Sequence, residues 1–227
     1  MKFDLTLLPP APDFEFESRL WESGFKYVAG IDEAGRGALA GPVAAAALIF
    51  RPDPDLAAGL AGVRDSKQMT ARQREIWADK LAGIAVTFKV GYASAAEIDE
   101  LGILTATRKA MRRAVQGLEF EPDQLLVDYV ALPELKIPQQ ALVKGDARSL
   151  SIAAASILAK TARDAILRDL DAVHPGYGFA RNKGYGTAAH REALGHLGPC
   201  PIHRRTFKGV GDRGQETEDG EEGNYEL

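Results

Sequence analysis

The chain has 227 residues, 45% of them apolar and 26% charged, which is enough to bury the core of one domain. No apolar run approaches the roughly 20 residues that span a bilayer. Cys200 is the only cysteine, which excludes an internal disulfide and a metal site built from several thiolates. The N-terminus combines one lysine with prolines and acids, which does not suit a secretory signal. We therefore expect a cytoplasmic protein with no membrane contact, and a monomer as the simplest state.

The formal net charge of −4 hides an uneven distribution of charge. Residues 211–227 carry seven acids and one base, and without them 27 bases face 25 acids, a balance of +2. Residues 144–208 hold eleven Lys and Arg side chains against five Asp and Glu, a balance of +6, together with all four histidines. This half of the chain indicates an acidic substrate, although a solvated surface would give the same pattern.

The pattern along the first half predicts a lead-in followed by strands and a helix. Residues 1–25 read as a loosely structured lead-in, because the prolines of LLPPAP cannot lie inside a helix. YVAGID predicts a short buried strand, whereas PVAAAALIF leaves helix and strand open. RDSKQMTARQREIWADKLA predicts a helix that begins with capping residues, and IAVTFKVGYA alternates like a strand.

The next part of the chain alternates between helical and strand patterns. We expect a helix at roughly residues 94–117 that is softened at Gly102, and short strands in DQLLVD and QQALVKGD. A long helix follows, and its small inward-facing residues suggest that it lies close to a sheet: Ile152, Ala155, Ser156 and Ala159.

The C-terminal part predicts a glycine-rich loop over residues 174–186 and a last helix over residues 187–198. The acidic tail, residues 211–227, has only Tyr225 and Leu227 as large apolar side chains and is predicted to be disordered. Early strands followed by alternating strands and helices indicate an α/β fold with a mixed sheet, formed by one domain over residues 26–210.

Three short apolar runs end in acids or run directly into them, and they supply Asp32 and Glu33, then Asp128, then Asp146. Sites in α/β folds gather at strand ends, so three strands that share an edge would bring these four carboxylates together. Such a cluster repels itself unless a cation lies inside it, and an all-oxygen donor set favours Mg²⁺ or Mn²⁺. Two such cations about 4 Å apart are the standard arrangement for in-line attack on a phosphodiester, so the pattern indicates metal-dependent hydrolysis.

Asp32 and Glu33 pose a geometric problem, because consecutive residues of a regular strand point to opposite faces. Both can face one metal only if the strand is already ending at Glu33, which the glycines that follow permit. Each acid taken alone would be interpreted as a turn or cap residue, and only the four together favour a site.

The segment GRGALAG has two interpretations. It matches the G-x-G-x-x-A fingerprint of dinucleotide-binding folds, but the preceding acids would repel a pyrophosphate and Pro42 weakens the helix that should bind it. Alternatively, Gly35, Arg36 and Gly37 expose backbone to a nucleic-acid strand, where peptide groups can bond a ribose 2′-hydroxyl and the arginine a phosphate. A dinucleotide-binding oxidoreductase and a non-catalytic nucleic-acid binder both stay open at this point.

Five segments together resemble the bacterial ribonuclease HII family over about residues 27–208. They occur in the family's order, and the first and third are long and specific: GIDEAGRGALAGPV, DSK, KGDARSLSIAAASILAKTARD, GFARNKGYGT and GPCPIHRRTF. The resemblance implies a ribonuclease H-like fold, with a mixed five-stranded sheet flanked by helices and a C-terminal helical region. It also implies a Mg²⁺- or Mn²⁺-dependent endonuclease that hydrolyses RNA in RNA/DNA hybrids. Such an enzyme nicks on the 5′ side of a single ribonucleotide in duplex DNA and leaves 3′-hydroxyl and 5′-phosphate ends.

The resemblance assigns roles to particular residues. The metal-binding, catalytic acids would be Asp32, Glu33, Asp128 and Asp146. The loop that senses the 2′-hydroxyl would be Gly35, Arg36 and Gly37. Tyr185 matches the tyrosine that stacks on the sugar beyond the ribonucleotide, whereas we expect Tyr177 to be structural.

Basic side chains within or near the matching segments are candidate phosphate contacts: Lys67, Lys144, Lys183 and Arg204. We expect Asp164 to support its helix or the surroundings of the site rather than to bind metal. The sequence departs from the resemblance at Tyr129, where bacterial relatives usually have a glycine, and this side chain would either crowd the metal site or fill space.

Overall fold

The structure is a computed structural model that describes residues 8–53, 55–64 and 66–211. Its strands are β1 (Val28–Ala34), β2 (Val43–Ile49), β3 (Thr87–Ala93), β4 (Gln124–Asp128) and β5 (Gln139–Leu142). Its helices are α1 (Glu15–Glu22), α2 (Leu56–Gly59), α3 (Ala71–Ile84), α4 (Ala95–Leu101), α5 (Ile103–Gln116), α6 (Leu150–Val173), α7 (Phe179–Asn182) and α8 (Ala188–Leu197). Single 3₁₀ turns lie at Ser66–Gln68 and Gly145–Ala147.

The five strands form one mixed sheet in the order β3-β2-β1-β4-β5, which confirms the predicted fold class. β2 runs antiparallel to β1 and β3, whereas β4 runs parallel to β1 and β5. Because β1, β4 and β5 run in the same direction, their C-terminal ends lie at one edge of the sheet. That edge is where the acids of the sequence pattern fall.

The ambiguous segment PVAAAALIF forms β2, a central strand with every residue buried. A strand covered on both faces shows a continuous apolar run instead of alternation, so the local pattern could not separate it from a helix. Because a strand follows GRGALAG, this loop lacks the helix N-terminus that would bind a pyrophosphate, and the structure does not favour the dinucleotide-binding interpretation.

Helices cover both faces of the sheet, α6 on one side and α5 on the other. Both approach closely at glycines, as the small residues of α6 predict. A Cβ added to Gly30 of β1 would lie 2.3 Å from the carbonyl carbon of Ser151, and one added to Gly91 of β3 would lie 2.3 Å from the carbonyl oxygen of Ala110.

The predicted helix at 94–117 is two helices that meet at Gly102, whose φ of +75° ends α4 and starts α5. Its N-terminus carries a capping box between Ser94 and Glu97, and α3 begins with a second one between Thr70 and Gln73. These side chains satisfy amide groups that the first helical turn leaves without partners.

The prediction of a loosely structured lead-in is wrong for residues 15–22, which form α1. Glu17 of this helix is buried, and its Oε1 accepts hydrogen bonds from the Ser149 hydroxyl (2.6 Å) and the Ser151 amide (2.9 Å) at the start of α6. The proline-rich LLPPAP ends before the helix begins, so prolines that exclude helix in one segment say nothing about the next. Residues 1–7 lie outside the described residues.

Two other predictions concern the C-terminal part. The glycine-rich loop over residues 174–186 contains the short helix α7, and the last helix is α8. The predicted disordered tail lies outside the described residues except for Gly211. Within the described residues, no helix combines the length and the apolar character needed to cross a membrane.

Candidate active site

Four acids lie at the sheet edge formed by the C-terminal ends of β1, β4 and β5. Asp32 and Glu33 lie near the C-terminal end of β1, Asp128 is the last residue of β4, and Asp146 lies in the 3₁₀ turn after β5. The carboxylates are close enough to affect one another: Asp32 experiences the charges of Glu33, Asp128 and Asp146. The structure therefore brings together acids that are up to 114 positions apart (146 − 32).

The strand geometry shows how neighbouring Asp32 and Glu33 share one site. Glu33 is still paired with Ala45 of β2, so the expectation that the strand has ended at Glu33 is wrong on that side. Pairing with β4, however, ends at Ile31 and Val127. Beyond this pair no neighbouring strand of the described sheet lies on the β4 side of β1. The carboxylates of Asp32 and Glu33 can therefore approach each other around this open side of β1. The charge of Glu33 acts on both Asp32 and Asp128.

The electrostatic environment opposes full ionisation of this cluster. Burial, followed by repulsion from Glu33 and Asp128, raises the pKa of Asp32 well above its ordinary value. Burial and the charge of Asp146 raise the pKa of Asp128 to about 6. Burial also raises the pKa of Glu33, although Arg36 opposes the rise through an ion pair of 3.1 Å. A positive charge placed among these groups would relieve the repulsion.

Backbone and hydroxyl groups hold two of the carboxylates. The Glu33 amide donates to Asp32 Oδ1 at 2.7 Å, and the Ser156 hydroxyl of α6 also bonds this carboxylate. The Gly145 amide donates to Asp128 Oδ1 at 2.7 Å and so ties the end of β4 to the turn that carries Asp146. Position 145 has little room for a side chain, since an added Cβ would lie 2.7 Å from Ile152 Cδ1.

The donor set fits a hard divalent cation in its chemistry. All four side chains offer oxygen only, which suits Mg²⁺ or Mn²⁺. Glu33 Oε2 is buried and has no hydrogen-bond partner, an arrangement that costs free energy unless another group meets the oxygen. Among the described residues, the side chains as they stand do not form a group of three His, Cys, Asp or Glu that encloses an ion.

A cleft of about 290 Å³ opens beside Glu33 and brings together most of the sequence-predicted substrate residues. It is lined by the loop Gly35, Arg36 and Gly37, by Lys67 and Tyr185, and by three residues that sequence reasoning did not assign to the site, Ser66, Ser156 and Lys160.

The two glycines of this loop have different surroundings. Gly35 has φ of +93°, and the place of its missing Cβ is taken by Arg163, whose Nε would lie 1.9 Å away. Gly37 is exposed, and nothing lies within 4 Å of the position that its Cβ would take. The first glycine is therefore required by the fold, whereas the second leaves open space on the side of solvent.

The prediction that Arg204 contacts phosphate is wrong, because this side chain is completely buried. Its guanidinium donates to the carbonyl oxygens of Gly35 (2.7 Å), Arg36 (2.8 Å) and Gly41 (3.1 Å), so it holds the glycine loop from beneath. Burial and the nearby Arg163 lower its pKa to about 9. An arginine in the basic segment HRR gives no local sign of burial, which explains the error.

The three predicted lysines differ in their accessibility. Lys67 is 80% exposed, with its Nζ 3.8 Å from Asp146 Oδ2, and Lys144 is exposed at the turn after β5. Lys183 is partly buried, and its Nζ donates to the Ala180 carbonyl. Both Lys144 and Lys183 adopt positive φ, of 57° and 54°.

A polar row on α6 is a feature of the site that the sequence interpretation identified only in part, since it gave a supporting role to Asp164 alone. Ser156, Lys160 and Asp164 are four residues apart and share one helix face. Ser156 contacts Ser66 at 2.9 Å, and Asp164 pairs with Lys160 (2.7 Å) and with Arg74 of α3 (3.0 Å). The supporting role expected of Asp164 agrees with these contacts. The four-residue spacing within a predicted helix was the signal that could have identified the row.

Two tyrosines outside the cleft behave differently from each other. Tyr177 is buried and donates to the Gly198 carbonyl at 2.6 Å, as expected of a structural residue. Tyr129 is 65% exposed, so it does not fill space, and its φ is +58°.

This sheet and its acidic edge define an α/β protein of the ribonuclease H-like class. The crystal structure of the ribonuclease H2 from Pyrococcus horikoshii OT3 shares the fold with a TM-score of 0.70 and 28% identity, over 81% of this chain and 95% of that chain. The structure of Bst-RNase HIII in complex with Mn²⁺, with 19% identity over 83% of this chain and 69% of that chain, shares the fold alone, with a TM-score of 0.66.

The sequence comparisons identify the family. The profile of the family described as Ribonuclease HII matches residues 29–210. The Ribonuclease HII of Syntrophotalea carbinolica is 52% identical over 195 residues, which cover 86% of this chain and 91% of that protein. The chain belongs to the ribonuclease HII family, and it is a hydrolase with ribonuclease H activity.

Proposed function

We propose that residues 26–210 form the catalytic domain of a cytoplasmic, monomeric enzyme that cuts RNA in RNA/DNA hybrids. It would also nick on the 5′ side of single ribonucleotides in duplex DNA and leave 3′-hydroxyl and 5′-phosphate ends. The observation that carries the proposal is the cluster of Asp32, Glu33, Asp128 and Asp146 at one sheet edge, where burial raises the pKa of the first three and repulsion between carboxylates adds to the rise at Asp32 and Asp128. That cluster lies beside a cleft lined by exposed backbone.

The four carboxylates would hold Mg²⁺ or Mn²⁺. When bound there, such cations lower the pKa of water and stabilise the charge that develops on phosphate oxygens. Ser156 and the Glu33 amide fix the Asp32 carboxylate, and Gly145 fixes that of Asp128, so these acids are oriented before substrate arrives.

The loop at Gly35–Gly37 would recognise the ribose. Arg204 occupies the carbonyl oxygens of Gly35 and Arg36, so a 2′-hydroxyl would meet the loop through its amide groups rather than through these two carbonyls. The absence of a side chain at Gly37 lets a sugar approach the backbone. Tyr185, which lines the same cleft, would stack on the sugar beyond the ribonucleotide.

The phosphate backbone would be bound by basic side chains around the cleft. Lys67 is well placed for this role because it is exposed and lies next to Asp146. Lys144 and Lys183 are further candidates on the same basic half of the chain, and Arg36, paired with Glu33, lies at the cleft itself. Each contact of this kind makes binding depend on salt concentration.

The test is to incubate the enzyme with duplex DNA that carries one ribonucleotide, in Mg²⁺, in Mn²⁺ and in EDTA, and to map the nick. We expect cleavage only with metal, on the 5′ side of the ribonucleotide. Asp32→Asn and Asp146→Asn should lower kcat by about 10³-fold or more, since each removes a charged ligand, while circular dichroism and duplex binding stay close to wild type.

Three outcomes would contradict the proposal. Full activity of either Asn variant would exclude its residue from the metal site, and cleavage in EDTA would exclude metal dependence. Hybrid binding that strengthens in the Asn variants, with no cleavage by the wild type in either metal, would indicate the non-catalytic binder instead.

A further inference from the structure

Behind Tyr185 lies a chain of hydrogen bonds formed by two buried histidines, for which the proposed mechanism has no use. His190 Nδ1 lies 2.9 Å from the Tyr185 carbonyl oxygen, and His190 Nε2 lies 3.1 Å from His203 Nε2. His203 Nδ1 in turn lies 3.0 Å from the Cys200 amide nitrogen and 3.1 Å from Cys200 Sγ. The histidine relay, defined here as His190 and His203, thus connects α8 and the segment after it to the cleft.

The two ends of the relay fix the position of every proton in it. The Cys200 amide can only donate, so His203 Nδ1 must accept and a neutral His203 must carry its proton on Nε2. That proton is donated to His190 Nε2, which must therefore accept. Neutral His190 then carries its proton on Nδ1 and donates it to the Tyr185 carbonyl, which can only accept. The assignment satisfies these three contacts and leaves His203 Nδ1 as an acceptor that the Cys200 thiol can also approach, whereas protonation of either ring would place two donors face to face.

The surroundings keep both rings neutral and fixed. The histidines are buried against the rings of Tyr177 and Phe179, with centroid separations of 4.9 to 6.5 Å. Burial lowers the pKa of His190, and burial together with the neighbouring ring lowers that of His203 to about 4.

The relay is one of several attachments of the Tyr185 backbone: the Tyr185 amide donates to the Asn182 carbonyl at 3.0 Å, and the Tyr185 carbonyl also accepts from the Thr187 amide at 2.8 Å. On the other side, the Gly184 carbonyl accepts from the amides of Leu39 (2.8 Å) and Ala40 (3.2 Å), a few residues after the glycine loop. His203 is followed directly by Arg204, which holds the carbonyls of that loop. Neighbouring residues of one segment therefore reach both elements that line the cleft.

We propose that His190 and His203 are positioning residues that set the place of Tyr185 relative to the Gly35–Gly37 loop, and through it the enzyme's discrimination of a single ribonucleotide. This inference rests on the proposed role of Tyr185 in recognition. The relay touches neither the acids nor the phosphate contacts, so its loss should affect recognition at the RNA-to-DNA step more than hydrolysis itself.

The first test is spectroscopic and independent of activity. Long-range ¹H–¹⁵N correlation spectra of the full chain labelled with ¹⁵N-histidine distinguish the two neutral tautomers of each ring. We expect the Nδ1–H form for His190 and the Nε2–H form for His203 at pH 7. The opposite tautomer at either ring, or a charged ring, would overturn the inference.

The second test separates positioning from stability with two substitutions at one residue. In His190→Asn the short amide can keep a donor near the place of Nδ1, whereas in His190→Gln the longer amide reaches toward Nε2 and loses the bond to Tyr185. Asn is one methylene shorter than Gln and leaves the larger gap at this buried position, so a packing defect alone would make His190→Asn the worse variant. We expect His190→Gln to lower kcat/KM about 10-fold on the single-ribonucleotide duplex and by less than 2-fold on a continuous RNA/DNA hybrid. His190→Asn should recover most of the difference.

The Tyr185→Ala variant separates failure of this inference from failure of the proposed function. If Tyr185→Ala loses the preference for the single ribonucleotide and His190→Gln does not, the relay does not position Tyr185. If Tyr185→Ala also retains the preference, the role of Tyr185 is wrong and the inference falls with it, while the metal site, tested by Asp32→Asn, is unaffected. Equal losses on both substrates in His190→Gln would indicate a merely structural relay.

Discussion

Gly35 and Gly37 are two positions apart in the cleft loop, and the structure gives them different tasks. A side chain at Gly35 would collide with Arg163 and would have to adopt a φ of +93°. A Cβ at Gly37 would have no protein atom within 4 Å. A loss of function in Gly37→Ala would therefore come from a clash with what enters the cleft.

We expect Gly37→Ala to change the free energy of unfolding by less than about 0.5 kcal/mol, as is usual for open surface positions, but to lower kcat/KM on ribonucleotide substrates by about 10-fold or more. Gly35→Ala should lower the free energy of unfolding by about 2 kcal/mol or more through strain and collision. Urea denaturation and steady-state kinetics measure the two effects. Wild-type kinetics in Gly37→Ala would show that the ribose does not approach this backbone.

At the residue scale, the role of a side chain could be predicted from the sequence where the neighbouring residues form a recognisable pattern. The four acids follow apolar runs, so their convergence could be expected from the ends of strands. Arg204 could not be interpreted in this way, because its burial depends on loop carbonyls about 165 residues away in the chain. The order of residues within a basic segment contains no information about which guanidinium turns inward.

At the scale of elements, α3 and α6 are joined by two ion pairs of different quality. Asp164 is buried and pairs with both Arg74 and Lys160, which are themselves mostly buried. Arg168 and Glu75 join the same two helices at 2.8 Å, but both are more than 40% exposed. Removing one member of a buried pair leaves a charge without compensation, whereas an exposed pair contributes little.

Asp164→Asn is therefore expected to lower the free energy of unfolding by about 3 kcal/mol, and Glu75→Gln, the matched control between the same helices, by less than about 1 kcal/mol. Chemical denaturation of the two variants in parallel gives the comparison. Equal losses would mean that burial does not govern the strength of these contacts.

Elements with a repeating pattern were predictable, and those defined by distant partners were not. The break at Gly102 and the long helix α6 follow from local signals. The assignment of PVAAAALIF to a strand required the presence of β1 and β3 on its two sides. Helix α1 is fixed by Glu17, whose partners Ser149 and Ser151 lie more than 130 residues further along the chain.

At the scale of the whole molecule, the acidic edge makes stability depend on pH. The pKa of Asp128 rises from an ordinary 3.8 to about 6 in the folded chain, so between these values the folded state binds more protons than the unfolded state. The free energy of unfolding of the metal-free protein should therefore fall as the pH rises from about 4 to about 6.

Asp128→Asn should accordingly raise Tm at pH 7 in EDTA and change it little at pH 4, where the carboxyl group is mostly protonated in the folded state. The amide oxygen can still accept from Gly145, so the hydrogen bond is retained. Asp169→Asn, at an exposed position of α6, is the control and should leave Tm unchanged at both pH values. Scanning calorimetry measures the shifts, and an equal rise at both pH values would contradict electrostatic repulsion as the cause.

The contact between Arg204 and the Gly35 carbonyl has a consequence for the synthesis of the protein. Its two partners are 169 positions apart, and the arginine is synthesised long after the glycine. Asp146 is the last of the four acids in the chain, so all four leave the ribosome before Arg204 does. A polypeptide released early, before codon 204, would carry the whole acidic edge while its glycine loop lacked the brace beneath it.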